Sequence, residues 1–229
     1  MTTRRLALAL AVLALAGCGG QRGHGTARLW ITRDRGATVL YAGHVPAGVT
    51  AMQALERKAK VKTRYGGRFV QAIDGIEGSL ARERDWFYFV NGIEADRSAA
   101  EYRLRPGDVE WWDYRPWRGA LSVPVVIGAF PEPFLHGYDG HRRTTVVIAP
   151  PGARRAAAAI ARLVHGRVAA SVRAGGANAV VVSARVRSAI AKRPGSATSP
   201  VLLTLTPRDA LRLARDPALV RFRYQGVPG

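Results

Sequence analysis

Apolar and polar residues alternate along most of this chain, and only a few stretches show helical periodicity. Leu29 and Ile31 alternate with Arg28 and Trp30, which predicts a strand over 27–32. Asp34-Arg35-Gly36 turns the chain, and 38–45 reads as the return strand of a hairpin. Met52, Leu55 and Ala59 then recur at helical spacing, opposite Glu56, Arg57, Lys58 and Lys60. Thr50 and Gln53 stand three apart, as a capping box requires, so one amphipathic helix starts there. A strand over 69–73 and the turn signals Asp74-Gly75 and Gly78 lead into an aromatic stretch, 85–117.

That stretch holds every tryptophan except Trp30. It reads as strands over 86–90, 101–104 and 109–114, separated by Asn91-Gly92 and by Arg105-Pro106-Gly107-Asp108. Successive side chains of a strand point to opposite faces. Phe87, Phe89, Leu104, Val109 and Trp111 are therefore expected on the helix-facing core. Trp86, Tyr88, Trp112 and Tyr114 are expected to share an outer face, with Trp117 just beyond. A contiguous exposed row of large aromatics marks an interaction site suited to a macrocycle or a sugar ring. The competing expectation is that this row lies buried beneath the rest of the chain. Asn91-Gly92, at the turn, is placed where its tip would meet a ligand.

Past residue 118 the pattern changes. Pro124, Gly128, Pro131 and Pro133 punctuate 119–143, which reads as a connector. From 144 onward the expected order is strand (144–149), helix (Ala156, Ala157, Ile160, Ala161 and Val164 on one side), and strands over 168–172 and 179–183. A short helix over 184–192, a strand over 201–205, a helix from Thr206-Pro207 and a strand over 219–224 complete it. This predicts a second small α/β sandwich with a ferredoxin-like arrangement.

The first residues are set apart from the fold. Arg4-Arg5 precede a ten-residue apolar run, 6–15, too short to span a bilayer as a stable helix but suited to a secretory signal. Leu15-Ala16-Gly17-Cys18 resembles the bacterial lipobox, which implies cleavage before Cys18 and lipid attachment to its sulfur. The expected organisation is a signal peptide (1–18), a spacer (19–26), a first domain (27–118), the connector (119–143) and a second domain (144–229).

Charge and chemistry narrow the function. The formal net charge is +19 from 35 basic and 16 acidic residues. It is uneven: 120–229 carries 16 basic and 4 acidic residues, a net +12. Such a surface attracts anionic headgroups or wall polymers, although arginine outnumbers lysine 31 to 4, a compositional bias that carries no binding information. No nucleic-acid-binding motif accompanies the charge, so no nucleic-acid partner is expected. Nucleophile-elbow, zinc-protease and phosphate-loop motifs are absent, and Cys18 is the only cysteine. Asp108, Glu110 and Asp113 cluster with the tryptophans but read as turn and solvated strand residues rather than a catalytic carboxylate pair. His136 and His141 flank Asp139 in a loop that lacks the spacing of helical metal ligands, and no metal site is expected there.

Three blocks carry a family resemblance: Gly48-Val49-Thr50-Ala51-Met52-Gln53-Ala54-Leu55, Trp86-Phe87-Tyr88-Phe89-Val90-Asn91-Gly92, and Tyr102-Arg103-Leu104-Arg105-Pro106-Gly107-Asp108-Val109-Glu110-Trp111. In order and spacing they resemble the domains similar to the C-terminal domain of transcobalamin and intrinsic factor, over roughly residues 27–116. The resemblance implies a soluble-ligand-binding β-grasp fold, a mixed sheet around one helix, working outside the cytoplasm with corrinoid binding as its best-known use. The expected fold class is thus α+β, a β-grasp-like domain followed by the α/β sandwich.

The expected protein is non-enzymatic and lipid-anchored through Cys18 on the extracytoplasmic face of the cell membrane. It captures a soluble ligand such as a corrinoid, as ligand rather than cofactor, for an uptake transporter. Its expected ligand-binding residues are Trp86, Tyr88, Asn91, Gly92, Trp112, Tyr114 and Trp117. The alternative is a structural or adhesive surface module that docks a protein or wall polysaccharide on the aromatic face.

Overall fold

The computed structural model describes residues 25–171 and 176–229. The signal peptide, Cys18 and most of the expected spacer lie outside the described residues. The chain is α+β, sheet-rich with few helices.

The first half is built on a five-stranded sheet. Strand β1 (Thr26–Arg33) pairs antiparallel with β2 (Thr38–Pro46) through the expected turn, where Asp34, Arg35 and Gly36 all have positive φ. Helix α1 (Ala51–Glu56) follows. Its capping box is formed: the Thr50 hydroxyl accepts from the Gln53 amide at 3.1 Å, and the Gln53 side chain accepts from the Thr50 amide at 3.0 Å. A small antiparallel sheet of β3 (Val61–Arg64), β4 (Phe69–Ile73) and β5 (Ile76–Glu77) comes next. Then β6 (Arg84–Val90), β7 (Ile93–Glu94) and β8 (Val109–Pro116) complete the main sheet in the order β2-β1-β8-β6-β7. Strand β8 lies parallel to β1 and antiparallel to β6. The strand expected over 101–104 is replaced by a turn whose single bridge, Arg103 to Thr50, ties it to the start of α1.

The face assignment on this sheet is the reverse of the sequence expectation. Alternation dictates which residues share a face, not which face meets the helix. Trp86, Trp112 and Tyr114 pack in one cluster with Met52 and Leu55 of α1 and with Leu29 and Ile31 of β1; Leu104 joins them as expected. Phe89, Val109 and Trp111 face the other way with Trp30. That second face is covered too, by Val126 and Ala129 from 119–143 and by Phe222 and Tyr224 near the end of the chain. The aromatic row expected to stand in solvent is buried: Trp86, Trp112 and Tyr114 are 6%, 3% and 7% exposed.

Residues 119–143, expected as a connector, carry a run of buried side chains. Val125, Val126, Ile127, Phe130, Phe134 and Tyr138 are buried, and a short helix, α2 (Glu132–Leu135), forms within the stretch. The prolines break regular structure there without freeing the chain, because the apolar residues between them pack on the main sheet and its neighbours.

The second half begins with β9 (Thr145–Ile148), helix α3 (Arg154–Leu163) and β10 (Arg167–Ala169), then β11 (Asn178–Val182), β12 (Ala189–Lys192), β13 (Val201–Leu205) and helix α4 (Pro207–Arg215). The sheet order is β10-β9-β11-β13-β12. Strands β10, β9, β11 and β13 are mutually parallel, with β12 antiparallel at one edge. A ferredoxin-like sheet interleaves antiparallel neighbours, so this topology departs from that expectation. Two elements also differ from expectation: 184–192, read as a helix, holds the strand β12, and 219–224, read as a strand, begins inside a 3-10 turn at Pro217–Val220 capped by the Asp216 carboxylate. Helices α3 and α4 pack together over one face, buried through Ala156, Ala157, Ile160, Ala210 and Leu213.

Candidate functional site

A cleft of about 420 Å³ opens on the α1 side of the main sheet. Trp86 and Tyr88 from β6 and Trp112 from β8 form its aromatic part; Met52 of α1, Phe69 and Val70 of β4, and Asp96 to Ala99 enclose it. It lies between the main sheet and β4 of the small sheet, with α1 and the 96–99 loop completing its wall.

The polar ends of these aromatics are satisfied within the protein. Trp86 Nε1 donates to the Ile76 carbonyl at 2.8 Å, and the Tyr114 hydroxyl to the Glu77 carbonyl at 2.9 Å. The Tyr88 hydroxyl donates to the Arg97 carbonyl at 2.6 Å, tethering the loop that closes the cleft. Tyr88 stacks on Trp112, centroids 4.8 Å apart and planes within 18°. Burial pushes the Tyr88 phenol well above its ordinary value, so it stays protonated. What the cleft offers a ligand is therefore mainly the partly exposed Tyr88 ring, with Trp86 and Trp112 buried behind it, more than free hydrogen-bonding groups.

Beneath this stack, Trp112 Nε1 donates to Glu110 Oε1 at 2.6 Å. Glu110 is fully buried and its Oε2 has no partner among the described residues. Burial pushes its carboxyl well above the ordinary value, and the Trp112 donation offsets only part of that. Asp108 and Asp113 are buried as well. Asp113 accepts from Thr32 Oγ1 (2.6 Å), the Arg35 and Gly36 amides (3.1 and 3.0 Å) and the Tyr224 hydroxyl (2.9 Å). All three carboxylates were expected as solvated strand or turn residues; Asp113 is interior because the end of the chain covers the far face of the sheet, Glu110 because it lies beneath the aromatics on the α1 face, and Asp108 because it is bonded to the buried Asn91.

Charged groups rim the cleft. Arg97 pairs with Asp96 and with Asp139, both at 2.9 Å, and Arg68 pairs with Glu101. For Asp96, burial alone would raise the carboxyl, but donation from Arg97 and from the Tyr138 hydroxyl outweighs it and holds the group below its ordinary value.

The sequence-predicted site residues separate into two sets. Trp86, Tyr88 and Trp112 converge on the cleft, and Tyr114 supports Trp86 from behind with centroids 5.3 Å apart. Asn91 and Gly92 form the expected turn, with φ of 53° and 77°, but they lie buried beneath 119–143 and away from the cleft. Asn91 Nδ2 donates to Asp108 Oδ1 at 2.7 Å and to the Gly137 carbonyl at 2.9 Å, and its Oδ1 accepts from the Val109 amide at 2.8 Å. A side chain at Gly92 would stand 2.7 Å from the Val126 carbonyl. Trp117 lies half-buried beyond β8, where its amide donates to the Glu83 carbonyl. Sequence reasoning missed Met52, Arg68, Phe69 and Arg97, which reach the cleft from other elements and carry no local signal of that role. In the His136–His141 loop, His136 Nδ1 bonds Glu132 at 2.7 Å and Asp139 pairs with Arg97 and Arg105. Among the described residues no group of three or more His, Cys, Asp or Glu converges as metal ligands would.

Residues 48–115 match a family model described as a domain of unknown function, DUF4430, over less than a third of the chain. Two solved structures are similar to part of it. Haptocorrin in complex with Cbi shares 14% identity at a TM-score of 0.35, covering 41% of this chain and 25% of haptocorrin. A candidate metal binding protein from Ruminococcus gnavus shares 12% identity at a TM-score of 0.34, covering 40% of this chain and 97% of that one. The chain thus spans about a quarter of the length of haptocorrin. Comparison with curated proteins found no match. Every residue that lines the cleft, from Met52 to Trp112, falls inside the span that matches DUF4430.

Proposed function

We propose that this protein is a non-enzymatic, extracytoplasmic binding protein, anchored to the membrane through Cys18, that captures a soluble ligand with a flat ring in the Trp86–Tyr88–Trp112 cleft. The observation that carries this reading is the stacked Tyr88–Trp112 pair, whose polar ends are satisfied internally and whose surroundings leave a cleft beside it. The mixed sheet with one helix on a face, read as a β-grasp, and the three sequence blocks resembling transcobalamin-type domains support a corrinoid as the specific ligand. A cleft of about 420 Å³ suits part of a corrinoid, with the remainder lying across the charged rim of Arg68 and Arg97. The lipobox supports the anchor, and delivery to an uptake transporter is the role such an anchored binder serves.

Isothermal titration with cobalamin tests the reading. Saturable heat is expected, with affinity reduced about tenfold by Tyr88→Ala through the loss of one stacking surface. Absence of heat from cobalamin overturns the corrinoid assignment. Equal affinity in Tyr88→Ala overturns the cleft as the site.

A further inference from the structure

A second recess, of about 470 Å³, lies in the other half, where β9, the end of α3 and the start of β10 meet. Arg142, Arg143, Thr145, His165, Gly166 and Arg167 line it. No acidic side chain does. The four acidic residues of 120–229 are engaged elsewhere: Glu132 with Arg28 and His136, Asp139 with Arg97 and Arg105, Asp209 with Ser188 and Arg212, and Asp216 with the Ala218 amide. Residues 1–24 and 172–175 contain no Asp or Glu at all. Among the described residues neither Arg142 nor Arg167 forms an ion pair with a carboxylate.

Two further features make this more than a basic patch. Thr145 is 4% exposed, and its Oγ1 has no hydrogen-bond partner among the described residues. A buried hydroxyl left unpaired is destabilising, and a ligand that reached it and accepted from it would remove that cost. Beside it, Gly166 lies close against Thr145: a Cβ there would stand 2.9 Å from the Thr145 carbonyl and 3.3 Å from Thr145 Cβ. Arg143 is held in place, its Nε donating to the Thr198 carbonyl at 2.5 Å and its Nη1 to the Gly176 carbonyl at 2.6 Å. The negative end of α3 points toward the recess, but its last carbonyls are occupied: Ala161 O accepts from the Gly166 amide at 2.8 Å, and Ile160 O from the Val164 amide at 3.0 Å.

We propose that this recess is a phosphate-binding site. Three guanidinium groups present donors only, with an unpaired hydroxyl beside them, and their charge matches a phosphate group, which carries about −1.5 to −2 near neutrality. A free phosphorylated molecule and the headgroup of an anionic lipid share this chemistry. The site is independent of the aromatic cleft, so either can fail without the other.

The test uses the full chain, with inorganic phosphate as probe against chloride at matched ionic strength, followed by calorimetry. Saturable binding is expected, weakened about tenfold by Arg142→Ala and by Arg167→Ala, each removing a charge-assisted contact. Thr145→Val, of nearly the same shape, should weaken it with the unfolding midpoint held or raised. Arg208→Ala, exposed and outside the recess, should leave it unchanged. Co-sedimentation with phosphatidylglycerol vesicles separates the sources. Loss of vesicle binding in Arg142→Ala assigns a headgroup; vesicle binding unaffected while inorganic phosphate binding is lost assigns a soluble phosphate. The proposal is overturned if neither probe shows binding that depends on Arg142 and Arg167, or if Arg208→Ala weakens it equally.

Discussion

Replacing Glu110 with glutamine should remove a pH dependence from the stability of this fold. Glu110 is 0% exposed on β8, with one oxygen accepting from Trp112 Nε1 at 2.6 Å and the other unpartnered. A carboxylate so enclosed is held mainly in its neutral form, because burial raises its pKa well above 4.5. In the unfolded chain the same group ionises near 4.5. Between those two values the folded state keeps a proton that the unfolded state has released. The contribution is then fully present below 4.5 and lost as pH rises toward the folded pKa. The slope is that of one proton, about 1.4 kcal/mol per pH unit within the window. Glutamine keeps an acceptor for Trp112 and cannot titrate. Urea unfolding of both proteins from about pH 4 to about pH 8 gives the difference in stability, in which every other titrating group cancels. Glu110→Gln should gain on the parent steadily above 4.5. A difference that stays flat with pH would refute the reasoning, and would mean that water or an undetected partner solvates Oε2.

Two further outcomes test how the far face of the sheet is held. Tyr224→Phe removes one donor to the buried Asp113 carboxylate at 2.9 Å while keeping the ring edge-on to Phe89 and Trp111; chemical denaturation should show a loss of about 1.5–3 kcal/mol, the range for hydrogen bonds to a charged group. Gly128→Ala would place a methyl 2.7 Å from Trp111 Cζ3 and 2.7 Å from the Arg223 carbonyl; overpacking there should cost about 1–3 kcal/mol and alter the near-UV dichroism of Trp111, and an unchanged spectrum and stability would show that the tail is not seated on the sheet.

Much of the first half was legible because its signals are local. Thr50 and Gln53 announce α1 at the start where it forms; the hairpin over Asp34-Arg35-Gly36 and the turn at Asn91-Gly92 lie where turn chemistry places them. Helices α3 and α4 were likewise readable, from alanine-rich periodicity and from the Thr206-Pro207 start, where the Thr206 hydroxyl accepts from the Asp209 amide. The misreadings lie where context outweighs propensity. Residues 184–192 have a composition that suits a helix, yet the last four complete a sheet edge by pairing with β13. The stretch 219–224 alternates like a strand, yet it turns so that Phe222 and Tyr224 reach Trp30 and Trp111.

The same division runs through the candidate site. Period-two alternation determined that Trp86, Tyr88, Trp112 and Tyr114 share one side of the sheet and Phe89, Val109 and Trp111 the other, because a strand's side chains have no other choice. Which side meets α1, that the opposite side is roofed by the end of the chain, and that Asp108, Glu110 and Asp113 are interior were decided only in three dimensions. Those outcomes depend on contacts between residues about eighty to more than a hundred positions apart, such as Thr32 with Asp113 and Asp113 with Tyr224. The cleft has the same origin: its aromatic side is written in one short stretch of sequence, but its walls come from α1, β4 and the 96–99 loop, elements that only the tertiary structure brings together.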